Sequence, residues 1–323
     1  MGNNRKNAID KIMDVTTAIL NNSVFILFLV MILSSFLQVI CRRIFNASLT
    51  WSEELARYCT IWMVMFTLVP LLFVVYFAFT GRDGSFTLRN FEKFFQPMYL
   101  SALVLSLKLA FFCTLICLLV GYPAAKFLAS KEFSRRQSFV VLFLLPMWMN
   151  CLLRTYAWVS ILEDTGIINT VLEWLGLPRV QMVGTEGAVL LGMVYNFLPF
   201  MVLPIYTVLK KLDHRVIEAA EDLGANPVRV FFRVTLPLSM PGVVSGVTMV
   251  FMPAATTFAI SRLLGSGMFW LMGDLIDYQF REISMASGQN FGSALSLIMM
   301  VLIIISIGLL RRFDPKGEGG GMW

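Results

Sequence analysis

The chain has 323 residues, of which 58% are hydrophobic and only 14% charged, with a mean hydropathy of +0.75. A soluble domain carries roughly a quarter charged residues, so this composition excludes a chain folded around a single aqueous core and makes a bilayer its solvent. The net charge of +6 does not point to nucleic acid, because the basic residues stand in short clusters between apolar runs, where they would orient spans in a membrane.

The first apolar run covers residues 16–40, following Lys11. It is too long for a signal core and has no small-x-small cleavage site nearby, so it reads as a retained span. Cys41-Arg42-Arg43 closes it, and Leu49-Thr50-Trp51-Ser52-Glu53-Glu54-Leu55-Ala56-Arg57-Tyr58 follows. In this segment Trp51 and Tyr58 could anchor an interfacial helix that also carries a Glu–Arg pair. Further runs lie at 60–79, 101–125, 138–161, 188–209, 242–264 and 292–310. Each is long enough to cross about 30 Å of hydrocarbon at about 1.5 Å per residue. The expected fold class is therefore all-α, a polytopic transmembrane helical bundle. Lys108 and Arg154 are the charges inside these runs; they are either snorkelling or helix-paired groups, or part of a transport path. Cys41, Cys59, Cys113, Cys117 and Cys151 sit in or beside apolar runs with no ligand-like spacing and read as small buried hydrophobes. With His214 the only histidine, no metal site and no catalytic triad is expected.

Basic residues set the orientation. Arg311, Arg312 and Lys316 form one group with Lys210, Lys211, Arg215, Arg229 and Arg233, and with Lys126, Lys131, Arg135, Arg136, Arg42, Arg43 and Arg57 in alternate segments. The opposite segments hold Arg262 and Arg281, then Arg179, then Arg82, Arg89 and Lys93, then Arg5, Lys6 and Lys11. The first set is the larger, which makes it cytoplasmic by the positive-inside rule. The bias is clear over the last spans and weakens toward the N-terminus.

The loop at 210–241 is more than a connector. Asp213 can cap a helix N-terminus, and Gly224 suits the left-handed position that ends one. Between them Val216, Ala219, Ala220 and Leu223 fall at i, i+3, i+4 and i+7, a single apolar stripe. Asn226-Pro227 then starts a second helix, with Asn as the cap and Pro in the first turn, and Leu236-Pro237 is read as its stop. A helix lying on lipid would favour bulky apolar residues and Lys. This one offers Ala-Ala flanked by Glu and Asp, poor company for an anionic leaflet, so docking to a protein is expected, with Glu218 available to a basic partner.

Glu218-Ala219-Ala220, then Gly224, then Val234-Thr235-Leu236-Pro237 resembles the coupling-loop signature of permeases from ATP-driven (ABC) importers. Gly121-Tyr122-Pro123, the stretch from Pro146 through Leu153-Arg154-Thr155-Tyr156-Ala157-Trp158, and Phe251-Met252-Pro253-Ala254 are similar to spans of the spermidine/putrescine type. Leu275-Ile276, Gln279-Phe280 and Phe291-Gly292-Ser293-Ala294-Leu295-Ser296 look like its final loop and span, while Ala255-Thr256-Thr257 departs from the more acidic stretch of relatives. The resemblance covers about 67–315. It implies a six-helix ABC importer permease core, here with one extra N-terminal span, and a flexible tail at 316–323. It also implies that Glu218, Ala219, Ala220, Gly224, Leu236 and Pro237 couple to the ATPase. Implied partners are an ATP-binding subunit present as a homodimer, a second permease subunit and a periplasmic substrate-binding protein, with membrane lipid around the spans and no nucleic acid. Residues 1–66 are similar instead to the small membrane subunit of tripartite ATP-independent (TRAP) transporters, and the run at 60–79 reads as composite.

No Gly-x4-Gly-Lys-Ser/Thr phosphate loop is present, so the chain is expected to be neither an ATPase nor any other enzyme, and no cofactor is expected. Candidate path residues are Arg154, as a charge inside a run, with Tyr156, Trp158, Asn196 and Thr257, which could contact a cation through ring faces or amide oxygens or serve only ordinary helix packing. Asp274 and Asp277, with Glu163, Asp164 and Glu186, would form an acidic outer mouth for a polycation, or equally a solvated loop face. The expected function is a multi-pass inner-membrane permease subunit importing polyamine. The alternatives are a permease for another small solute and a TRAP-type small subunit.

Overall fold

The computed structural model describes residues 22–33, 50–81, 84–130, 147, 149–281 and 285–311. They fall into two compact units, one drawn from Met1–Phe91 with Ser284–Leu297, the other from Glu92–Ile283 with Ile298–Trp323.

In the first unit the described part of the opening run is an apolar helix, α1 (Asn22–Leu33). Helix α2 (Thr50–Ala78) follows. It passes through residues 66 and 67 without interruption. Glu54 and Arg57 pair along its first turns at 3.2 Å, and Thr60 Oγ1 lies 3.4 Å from Met31 Sδ of α1. The end of α2 is closed by Asn90, whose Nδ2 donates to the carbonyls of Ala78 and Thr80 at 3.1 Å each. That satisfies acceptors a helix C-terminus leaves open. Phe79 stacks on Phe86 and packs on Phe91 beside this cap.

The second unit begins within α3 (Arg89–Phe94) and continues with α4 (Pro97–Ala129), α5 (Cys151–Leu162), α6 (Ile167–Trp174) and α7 (Glu186–Lys211). Next come α8 (His214–Asp222), α9 (Pro227–Val230), a π-helical turn (Phe231–Thr235) and α10 (Leu236–Thr256). Then follow α11 (Ala259–Leu264) and α12 (Met272–Arg281), while α13 (Met285–Arg311) is assigned to the first unit as far as Leu297 and to the second from Ile298. Five helices among the described residues are long and apolar enough to cross a membrane: Glu54–Ala78, Pro97–Ala129, Glu186–Lys211, Pro227–Thr256 and Gly288–Leu310.

The core of this unit is α4, α7 and α10 packed pairwise. Glycines allow the approach. A Cβ on Gly242 would sit 2.9 Å from Pro204 O and 3.1 Å from Ile205 Cα, and one on Gly246 would sit 2.8 Å from Met201 Sδ and 3.1 Å from Met201 O. These two glycines are four apart, so they share one face of α10, the spacing by which membrane helices bring backbones together without a hydrophobic drive. Met201 is fully buried, and from the other side it meets Gly121 of α4.

Polar contacts fix the opposite end. Helix α4 has 33 residues, about 50 Å at 1.5 Å per residue, more than about 30 Å of hydrocarbon requires. Near its first third Ser106 Oγ accepts from Met272 N at 2.8 Å. Lys108 Nζ, one of the charges inside the runs, reaches Glu186 Oε2 at 2.7 Å. Of the two readings left open for Lys108, it is helix-paired.

Two expectations change. Residues 242–264 do not form one span: α10 ends at Thr256, Thr257 is extended (ψ 141), and α11 starts at Ala259. At this break Gly273 of α12 lies against the carbonyls of Thr256 and Thr257, where a Cβ would be 2.6 and 2.5 Å away. Leu236-Pro237 does not stop a helix either, for Pro227–Thr256 is continuous. Pro237 lacks an N–H and would clash with the carbonyl four residues earlier. The π turn, in which Leu236 N bonds to Phe231 O, opens the spiral just ahead of it. Residues 138–146 and 148 of the expected 138–161 span lie outside the described residues, and most of the rest is the 12-residue helix α5.

Candidate functional site

Helix α8 is nine residues long, too short to stand by propensity alone, and its two ends hold it. Asp213 accepts from Arg215 N at 3.0 Å. At the other end Gly224 takes φ +80, its N–H bonds to Glu221 O at 2.8 Å, and Ala225 N bonds to Ala220 O at 3.2 Å. Those two bonds are the Schellman closure, and they require the left-handed glycine. Asn226 then accepts from Arg229 N at 2.8 Å and starts α9.

The apolar stripe of α8 is left uncovered. Val216 is 46% and Leu223 88% exposed; Ala219 is exposed and Ala220 half-buried. Behind it, a cleft of about 450 Å³ separates α8 from the ends of α4 and α7, with Ile217, Glu218 and Glu221 on one wall and Lys126, Leu209 and Phe231 on the other. Leu236 and Pro237 belong to the start of α10, behind the π turn, rather than to the exposed stripe. The site is therefore a small helix on rigid caps, joined through α9 and the π turn to a continuous helix that runs into the bundle core.

The candidate path residues fall in separate places. Arg154 is 9% exposed, and its Nε and Nη1 have no hydrogen-bond partner among the described residues. Asn196 is buried in α7, donates to Gly192 O at 2.9 Å and approaches Thr155 Oγ1 of α5 at 3.4 Å; its Oδ1 has no partner among the described residues. Trp158 packs edge-on against Tyr195 at 5.5 Å, whereas Tyr156 is 55% exposed. Thr257 sits at the α10 break, its carbonyl beside Gly273, the residue that precedes Asp274.

At α12 the two acidic residues differ. Asp277 is held between Arg262 at 2.8 Å and Arg281 at 2.7 Å, with its side chain only 14% exposed. Asp274 accepts from Leu271 N at 3.0 Å. Burial raises its pKa above the usual aspartate value, partly offset by the Leu271 and Ser261 hydrogen bonds and by Arg262. Glu186 of the supposed mouth is taken up by Lys108. Two aspartates with two arginines make a neutral cluster, not a bare acidic funnel. Among the described residues no group of three or more His, Cys, Asp or Glu could hold a metal ion.

Sequence reading missed the Gly242/Gly246 pair, although small residues four apart in an apolar run are a legible signal. It also missed the buried hydrogen bond between Tyr122 and Ser239 at 2.8 Å, which no spacing rule finds.

Comparison with known proteins supplies the context. Residues 1–318 match the family described as binding-protein-dependent transport system inner membrane component. The spermidine/putrescine transport system permease protein PotB of Haemophilus influenzae is 39% identical over 259 residues, 78% of this chain and 90% of that protein. PotB of Escherichia coli strain K12 is 37% identical over 269 residues, 80% of this chain and 97% of that one. A solved bacterial alginate ABC transporter, in complex with an alginate pentasaccharide-bound periplasmic protein, superposes with a TM-score of 0.65. It is 16% identical and covers 86% of this chain and 98% of the other, a likeness of fold. The family match includes residues 1–66, and the comparisons lend no support to the TRAP small-subunit resemblance of that segment.

Proposed function

The chain belongs to the family of binding-protein-dependent transport system inner membrane components, and on that footing we propose that it is the permease subunit of an ABC importer that carries polyamine inward. The observation behind the coupling half of this reading is α8, a doubly capped helix with an uncovered apolar stripe. The cargo half rests on relatives named for spermidine and putrescine at 37–39% identity over about four-fifths of the chain. The chain is a transport subunit and not an enzyme, and it resides in the inner membrane.

In this reading α8 faces the cytoplasm, as the basic residues around it require, and seats in a homodimeric ATP-binding subunit. Glu218, Ala219, Ala220 and Gly224 form the seated surface; Leu236 and Pro237 start the helix that receives its movement. Burying a side chain such as Val216 or Leu223 stabilises by about 1.5–3 kcal/mol, enough for a small lever to follow its partner. A second permease subunit completes the path, and a periplasmic binding protein loads it. Arg154, Tyr156, Trp158, Asn196, Thr257, Asp274 and Asp277 remain the candidate path residues, with Arg154 and Asn196 distinguished by buried polar atoms that have no partner among the described residues. Within the chain, 67–315 would form the importer core with its coupling loop at 210–241; residues 1–66 would be an appended segment and 316–323 a tail.

Reconstitution tests this. Proteoliposomes holding this chain with its partner permease and ATPase should take up radiolabelled putrescine or spermidine only when ATP and loaded binding protein are both present. Uptake of a different small solute in place of polyamine would overturn the cargo, and ATP-independent uptake would overturn the class.

A further inference from the structure

Between α8 and the bundle core lies a compact set of contacts that the coupling signature does not contain. Phe231 opens the π turn, and its carbonyl accepts the Leu236 N–H that defines that turn. Its ring is clasped by α4: Tyr122 meets it edge-on at 5.5 Å and 87°, and Lys126 Nζ, one turn further along α4, stands 4.8 Å from its centroid. Beyond the turn, Ser239 is fully buried on α10 and donates to Leu236 O at 3.0 Å. With its one proton so used, Ser239 Oγ accepts from the Tyr122 hydroxyl at 2.8 Å.

One tyrosine thus touches both ends of the π turn, the ring of Phe231 at its start and the hydroxyl of Ser239 beyond it. A π turn is the weak point of a helix, where a push at one end could be absorbed by rewinding. Bridging it across both flanks prevents that. We infer that Tyr122 is a positioning residue which, through Phe231 and Ser239, locks the π turn so that movement of α8 is passed to α10. This rests on the proposed coupling role of α8, though not on the cargo.

The test uses the assembled transporter with its ATPase. A cysteine placed at Thr256, exposed at the far end of α10, is followed by maleimide labelling resolved by peptide mass, with and without ATP plus vanadate. The expected result is a labelling rate that changes several-fold with ATP plus vanadate in the parent, and no such change in Tyr122→Phe or Ser239→Ala. The double variant should be no worse than either single, and Ser239→Thr, which keeps the hydroxyl, should respond like the parent. An unresponsive parent, or Tyr122→Phe and Ser239→Ala responding as the parent does, would overturn the inference. So would loss of ATPase co-purification in both, because that would assign the pair to assembly. Polyamine uptake is measured on the same parent: its absence alongside an intact ATP response would defeat the cargo reading and leave the link standing.

Discussion

Gly242 of α10 and Pro204 of α7 are in backbone contact: a Cβ on the glycine would lie 2.9 Å from the proline carbonyl oxygen. A carbonyl inside a helix cannot swing aside as a side-chain tip can. Gly121 differs, because its tightest neighbour is Met201 Cγ at 3.0 Å, on a flexible side chain. Gly242→Ala should therefore destabilise the purified protein by about 1–3 kcal/mol, the usual range for overpacking, while Gly121→Ala costs less. Thermal unfolding in detergent ranks the two; equal midpoints would contradict the account of the core.

Gly224 has open space around it but a φ of +80, so strain alone decides its substitutions. Gly224→Ala should cost about 1–2 kcal/mol for the left-handed backbone, with Gly224→Asn milder. Since the glycine closes α8, the loss should appear as weaker ATPase co-purification, in the order Gly, Asn, Ala, with the spans still inserted. Alanine matching glycine would show that the Schellman closure is not what positions α8.

The raised pKa of Asp274 has a defined sign. Burial makes its folded form hold a proton more tightly than the unfolded chain does, so the folded state loses stability as pH rises from the ordinary aspartate value near 3.9 through the raised one. Asp274→Asn keeps an acceptor for Leu271 N and removes that dependence. The variant should melt higher than the parent at pH 7 and converge with it near pH 4. A variant less stable at pH 7 would show that the carboxylate is held by its hydrogen bonds and Arg262 more than it is opposed by burial.

Asp277 bridges Arg262 and Arg281, offsetting one of their two charges. Replacing both Asp274 and Asp277 with Asn leaves two arginines uncompensated where a polycation is proposed to enter. Uptake should fall several-fold at low ionic strength and recover in part with added salt, as screening shortens the reach of the arginines. Salt-independent uptake equal to the parent's would remove these residues from the path.

These outcomes depend on features of unequal legibility in the sequence. The caps of α8 were readable because Asp213, Gly224 and Asn226-Pro227 act locally, through backbone groups within a few residues. Long apolar runs were readable for a similar reason, since length and hydropathy alone decide whether they can span. The failures involve non-local balance. Pro237 reads as a stop until the π turn ahead of it is seen to relieve the clash. The α10 break at Thr257 follows from a glycine sixteen residues further on that packs against its carbonyls. The path residues were named by type, and type does not say that Tyr156 turns outward while Arg154 and Asn196 turn inward. Nor could the acidic mouth be judged before Arg262 and Arg281 were found closing on Asp277.

The central claim is that the uncovered face of α8 is where an ATP-hydrolysing subunit seats. Cross-linking measures it most directly: a cysteine at Ala219, with a second one turn along at Leu223, tested in membranes that contain the cognate ATPase and binding protein. The account predicts cross-links from both positions to the ATPase, formed from the cytoplasmic side and changed in yield by ATP plus vanadate. Cross-links to the periplasmic binding protein, or labelling of both cysteines by lipid-phase reagents alone, would contradict it.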